Sequence, residues 1–198
     1  MNIAIIGSAG RKDDAALWNK ELYERALNKT LQIIEEYKTL TTCIYSGGAA
    51  WADHIAVSLF LRKKIERLSL FLPASFDLEK NCYISSSWKD PGSISNYYHN
   101  KFSTKIGLPK DASLRGISKA HQLGANLLVV PGFFDRNLSV GKAEIIIALT
   151  FGTNQGTFQN QDLGLTDPQK AGLKDGGTAH TWKHSCATTK IHLNLHTL

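Results

Sequence analysis

A three-layer α/β fold with a mostly parallel central sheet is what three features of this sequence predict. Short apolar runs rich in β-branched residues recur along the 198 residues, segments with helical periodicity separate them, and glycine clusters stand where a strand run gives way to a helix. Strands that are apolar throughout need cover on both faces, which alternating helices supply. The length and a hydrophobic content of 42% fit one compact domain over residues 1–198.

The first strand is Ile3–Ile6. From about Asp14 to Tyr37 one long helix is predicted, with Asp13 or Asp14 as its N-cap. Its stripe is Trp18, Leu22, Ala26, Ile33 and Tyr37, flanked by Tyr23, Leu27 and Ile34. Strand Thr42–Tyr45 follows, then a helix from about Ala50 to Arg62 with Asp53 complementing the dipole near its start, then strand Leu68–Leu72. Segments Ser93–Ile106 and Ser113–Leu123 read as helices parted by Gly107-Leu108-Pro109. Strands Asn126–Val130 and Glu144–Thr150 come next, and a last helix from about Thr178 to Ala187 leads into strand Ile191–Leu195. Two stretches depart from the alternation and are expected as surface excursions, at about residues 75–92 and 152–174. The second, rich in Gly, Gln, Asn and Asp, is expected to be a mobile loop or a flap over the site.

No apolar run reaches the roughly 18–20 residues of a membrane span, and the N-terminus lacks the basic stretch and long apolar segment of a signal peptide. No membrane partner is expected. The three dispersed cysteines, Cys43, Cys82 and Cys186, lack framework spacing and fit reduced thiols in a cytoplasmic compartment. A formal net charge of +6 suits an anionic partner, but the basic residues are scattered, so charge alone does not specify nucleic acid.

Function-bearing residues concentrate in the loops. Gly7-Ser8-Ala9-Gly10-Arg11, Ser46-Gly47-Gly48-Ala49-Ala50-Trp51-Ala52-Asp53 and Asp175-Gly176-Gly177-Thr178-Ala179-His180-Thr181 each join a strand to the next element of the chain. Such junctions offer backbone N–H groups and the positive end of a helix to an anion, and glycine lets a phosphate come close. In an open parallel sheet these loops fall at the carboxyl ends of the strands, so they converge on one edge. The candidate ligand-binding residues are Gly7, Ser8, Arg11, Gly47, Gly48, Ala49, Trp51, Asp53, Gly176, Gly177, Thr178 and His180. Arg136 and Asn137 join them from Gly132-Phe133-Phe134-Asp135-Arg136-Asn137, read as a loop anchored by its two aromatics, because an arginine fork suits phosphate or loop-ordering duty. Plainer readings stand beside these: Trp51 as core packing, Asp53 as a first-turn carboxylate, Arg136 as the partner of a loop carboxylate. His180 and His184 have a spacing that suits a metal, but no carboxylate or cysteine completes a ligand set, so no metal is expected.

The ordered set Gly7-Ser8, Gly47-Gly48-Ala49-x-x-Ala52-Asp53, Arg136-Asn137 and Gly177-Thr178-Ala179 resembles the SLOG superfamily. That is the Rossmann-like group of the DprA/Smf proteins and the Lonely-guy nucleotide phosphoribohydrolases, and the pattern is most similar to its YspA-type branch. The resemblance spans Gly7 to roughly Lys183. It implies that Gly47, Gly48 and Ala49 approach a phosphate or ribose, that Asp53 braces the loop or meets a ribose hydroxyl, that Arg136 pairs with phosphate or holds the site together, and that Gly177 and Thr178 form a second anion cradle. Trp51 stands where that branch has glycine, Ala9 where arginine is usual, and His180 where it has aspartate. The glutamate that the phosphoribohydrolases carry after their last glycine loop has no counterpart in Gly176–Trp182.

The function expected is therefore binding of a nucleotide or nucleotide-derived signal, of the ADP-ribose or cyclic-nucleotide type, by a sensor or sequestering protein. It would need no cofactor and is expected as a homo-oligomer. An alternative is hydrolysis of an N-glycosidic or phosphoester bond with Asp53, His180 or Glu144 as acid–base candidates. A second alternative is single-stranded DNA binding of the DprA kind, for which Tyr97-Tyr98-His99-Asn100-Lys101 supplies aromatics beside a cation.

Overall fold

The computed structural model describes residues 1–152, 156–159, 167–169, 171–173 and 176–198, with 156–159 as backbone alone. Much of the excursion expected at 152–174, and Asp175 of the last glycine cluster, lie outside the described residues.

In chain order the elements are β1 (Asn2–Gly7), α1 (Asp14–Leu17), α2 (Lys20–Tyr37), β2 (Cys43–Ser46), α3 (His54–Leu61), β3 (Leu68–Leu72), β4 (Phe76–Asp77), β5 (Cys82–Tyr83), α4 (Pro91–Lys105), α5 (Ala112–Gln122), β6 (Asn126–Val129), α6 (Phe133–Val140), β7 (Ile145–Thr150), β8 (Gly156–Gln159), α7 (Gly177–His184) and β9 (Thr189–Asn194). The main sheet runs β6-β3-β2-β1-β7-β9-β8. Its first six strands are parallel, while β8 pairs antiparallel with β9. The fold is thus α/β with a parallel central sheet flanked by helices, a Rossmann-like three-layer arrangement. Among the described residues no helix is long and apolar enough to cross a membrane.

Side chains alternate across this sheet. Ile3, Ile5, Ile44, Leu68, Leu70 and Ile147 face one side and pack with the buried stripes of α2, α3, α4 and α5. Ala4, Ile6, Ile146 and Ala148 face the other side and pack with Val140 of α6 and Trp182 of α7. That second layer is thinner. Toward the β6 edge, Tyr45 and Phe71 meet edge-on at 5.1 Å and are only partly covered, and Leu128, the register partner of Phe71, is exposed.

The strand path has its switch at β1. From β1 the chain steps outward through β2 and β3 to β6, and α6 then carries it back across to β7 on the other side of β1. The carboxyl ends of β1 and β7 consequently part around a crevice, the position where ligands lodge in open parallel sheets.

Three expectations are corrected. The helix over 14–37 is two helices, with Trp18 and Asn19 extended between them. Trp18 turns fully into the core, stacked on Trp51 at 5.5 Å and edge-on to Phe151 at 5.6 Å. Asn19, not Asp13 or Asp14, is the N-cap of α2, its side chain accepting from the Leu22 N–H at 2.8 Å. Phe133–Val140, read as a loop, is a helix; its inward face carries Arg136 and Asn137 beside Val140, so apolar periodicity could not reveal it. The two excursions are partly structural. In the first, Ser86 and Ser87 N–H groups, with that of Ser93, close on the Asp90 carboxylate, and those bonds hold it down at about pKa 2. In the second, β8 extends the sheet, and Ala171 and Leu173 pack in the core.

Replacing Asn19 by alanine removes the cap of the longest helix and is expected to cost about 1 kcal/mol. Urea unfolding should show a lower midpoint with an unchanged slope, whereas Asp13→Ala should leave the midpoint in place, because Asp13 makes no capping bond.

Candidate functional site

The crevice at the ends of β1 and β7 opens into a cleft of about 480 Å³. Gly7, Ser8 and Arg11 line it from the β1 side, Gly47, Ala49 and Asp53 from the loop after β2, Arg136 and Asn137 from α6, and Gly176, Gly177, Thr178 and His180 from the start of α7. These twelve sequence candidates meet in one place because the parallel sheet delivers every one of their loops to the same edge.

The loops hold one another. Ser8 N–H donates to the Leu149 carbonyl at 2.8 Å, Ala52 N–H to the Ser8 carbonyl at 3.3 Å, and the Thr178 hydroxyl to the Gly7 carbonyl at 2.8 Å. Asn137 Nδ2 donates to the Gly177 carbonyl at 3.3 Å, tying α6 to the start of α7. The Ser8 hydroxyl donates to Asp14 at 2.8 Å and accepts the Gly10 N–H.

Arg136 is the centre of this arrangement. Its Nη1 donates to the Gly47 carbonyl at 2.7 Å and to Asp53 Oδ2 at 3.3 Å, with both side chains 9% exposed. A Cβ on residue 47 would collide with this guanidinium, so glycine there admits an arginine and not a phosphate. Burial pushes the Asp53 carboxyl up from its ordinary value, while Arg136 and the backbone N–H groups of Ala49, Gly47 and Gly7 pull it back. Arg136 Nε has no hydrogen-bond partner among the described residues.

Three candidates fall away from the cleft. Gly48, at φ +63°, turns its α-carbon toward Leu72 and the Tyr83 hydroxyl, beneath the loop. Its carbonyl accepts from Tyr83 Oη at 2.7 Å and pairs with His99 Nε2 at 2.9 Å, so it fixes the loop from below. Trp51 is fully buried between Trp18 and Phe102. It holds a left-handed φ of +64° where a glycine would be unstrained, and aromatic packing is what offsets a cost of about 1–2 kcal/mol. Glu144 lies at the opposite end of the sheet, just before β7, where it accepts from the Asn2 N–H; it shares no site with Asp53 and His180.

The start of α7 carries the anion-binding potential of the cleft. The first helical hydrogen bond runs from His180 N–H to Gly176 carbonyl at 2.9 Å, so the amides of Gly177, Thr178 and Ala179 have no acceptor within the helix. His180 faces Phe134 edge-on at 5.1 Å and lies over His184 at 4.3 Å. Burial, then the proximity of His184 and Lys183, lowers its pKa, which keeps the ring neutral near pH 7. Its Nδ1 is without a hydrogen-bond partner among the described residues.

Sequence reasoning missed Phe133 and Phe134 as cleft walls, Asp14 and Thr150 as lining, and the support from Tyr83 and His99. The aromatics were visible as a pair ahead of Arg136, but only α6 sets their direction. His99 sits in α4, with four elements between it and Gly48, and nothing local marks it as the post under that residue.

That post makes stability depend on pH. His99 is fully buried, and burial drives its pKa down to about 4 against the partial opposition of its Gly48 bond. An unfolded histidine takes its proton near pH 6.5, so the stability that neutral His99 contributes is complete above that pH and is lost as pH falls toward 4. Between pH 6.5 and 5 the loss is expected to be about 2 kcal/mol from this group, and His54, lowered in the same direction by burial and by His99, adds to it. Unfolding free energies measured across this range should fall more steeply for wild type than for His99→Gln.

No family profile matches the chain, and no solved structure matches it. A relative does. Over 203 aligned residues the chain is 30% identical to "Uncharacterized protein R261" of Acanthamoeba polyphaga mimivirus, across 98% of this chain and 96% of that protein. The likeness runs over nearly the full length of both proteins. The chain belongs to the same family as this mimivirus protein.

Proposed function

We propose that the cleft binds a phosphate-bearing, nucleotide-derived small molecule and that the protein acts as a sensor or sequestering protein for it. The observation that carries this reading is the meeting, at the β1/β7 switch point, of the amino end of α7 with two arginines, Arg11 and Arg136. Amides of a first helical turn, which have no acceptor within their own helix, and guanidinium groups are the complement of a phosphate. The cleft volume of about 480 Å³ matches a ligand of nucleotide size, and the aromatic wall of Phe133 and Phe134 offers faces to a base. Membership of the SLOG superfamily, which the order of the loops resembles, is part of the same proposal, as is assembly into a homo-oligomer.

A second reading, hydrolysis of the ligand, rests on His180 alone. A neutral imidazole with an unpartnered buried nitrogen on the cleft wall suits a general base. Asp53 is committed to Arg136 and is the poorer candidate.

Titration calorimetry with AMP, ADP, ADP-ribose and cyclic AMP tests the reading. At least one should bind saturably, and Arg11→Ala, which removes an exposed cation from the rim, should weaken it roughly ten- to a hundred-fold. Arg136→Lys should bind weakly, since Nη1 of the arginine already serves the Gly47 carbonyl and Asp53, and a point charge has no remaining arm of a planar fork to offer a phosphate. A folded protein that binds none of the four, or an Arg11→Ala variant with wild-type affinity, overturns it. Product analysis of the same mixtures decides between binding and hydrolysis.

A further inference from the structure

A second cavity, about 570 Å³, adjoins the cleft and is lined by Arg11, Trp88, Ile94, Tyr97, Tyr98 and Phe133. Arg11 and Phe133 line both. The Arg11 guanidinium stands 5.6 Å from the centre of the Phe133 ring and 5.7 Å from that of Tyr98, so it forms the sill between the two spaces. Beyond it the groove is an aromatic surface set with cations. Trp88 is 77% exposed with Lys89 Nζ 4.3 Å from its ring centre, and Tyr97 is 59% exposed with Lys101 Nζ at 6.0 Å.

Single exposed aromatics are ordinary, but these share one concavity, carry three cations and open onto a cleft built for phosphate. Ring faces left open to solvent accept a planar ring by stacking, and the adjacent cations favour an anion between the two spaces. The sill cation at Arg11 lies between two aromatic-walled cavities, each wide enough for a base.

We propose that this groove is a second subsite of the cleft, and that the ligand carries two ring systems joined through phosphate, with the phosphate at Arg11 and one ring in each cavity. The proposal rests on the reading of the cleft as a phosphate site and adds the length of the ligand and its second recognition element. Trp88 and Tyr97 are then specificity residues: they discriminate a two-ring phosphate from a mononucleotide without contributing to the binding of the latter.

Calorimetry with ADP and with diadenosine diphosphate, which share the pyrophosphate and differ by one adenosine, tests it. Wild type should bind diadenosine diphosphate at least about ten-fold more tightly than ADP, a gain in the range expected for stacking one base. Trp88→Ala and Tyr97→Ala should lose most of that gain and keep wild-type affinity for ADP; unchanged far-UV dichroism confirms the fold. Equal affinity for the two probes in wild type, or equal loss for both probes in the variants, overturns the second subsite while leaving the cleft reading intact. Failure of wild type to bind either probe overturns the cleft reading and this proposal with it.

Discussion

Arg136 joins three parts of the chain that the sheet only brings near one another. It belongs to α6, its Nη1 reaches the carbonyl of Gly47 after β2, and the same nitrogen meets Asp53 at the start of α3. Both charged groups are nine-tenths buried, so neither would be stable there without the other. Removing one partner of such a pair typically costs about 3–5 kcal/mol, because a desolvated charge is left behind. The geometry of the cleft follows from this contact. It sets the depth of the Gly47 turn, orients α6 so that Phe133 and Phe134 form a wall, and leaves Asn137, one residue on, in reach of the Gly177 carbonyl. The pair therefore explains why glycine, arginine and aspartate occur at these spacings before any ligand is considered.

Under the same loop lies a second, uncharged support. Tyr83 and His99 converge on the Gly48 carbonyl, and His99 Nδ1 is in turn 3.0 Å from the Ser113 hydroxyl, which itself accepts from Ser103 at 2.8 Å. Four buried polar side chains from the hairpin, α4 and α5 are thereby spent on a single carbonyl and its immediate supports. Such a chain specifies one loop conformation, since any shift of Gly48 would leave several of its members unsatisfied.

The six parallel strands of the sheet were legible in the sequence because they are short, largely apolar runs, and their boundaries agree with the structure to within about two residues, whereas β8 lay in a stretch read as a surface excursion. Convergence of the loops was legible too, as it follows from parallel topology and needs no side-chain detail. What could not be read was the direction of individual residues within a loop. Gly47 and Gly48 look alike in sequence, yet one makes room for an arginine and the other bends the chain over a tyrosine. Trp51 beside them could have faced the cleft or the core, and only the pocket formed by Trp18 and Phe102, remote in sequence, decides for the core. Helix α6 was hidden for a related reason: two of the three residues it buries, Arg136 and Asn137, are polar, and their partners lie about 40 to 90 positions away.

The placement of β1 has a consequence for how the molecule comes into being. The central strand β1 leaves the ribosome ahead of both its neighbours, and it is completed on one side by β2 and on the other only by β7, whose register partners lie more than 140 residues later. The latch from Thr178 to the Gly7 carbonyl comes later still. A chain made at roughly 5–20 residues per second holds β1 half-paired for several seconds, with an apolar edge open to other strands. Synthesis of this protein thus includes an interval in which its central strand is an adhesive one, and the cleft cannot exist until α7 has emerged to close it.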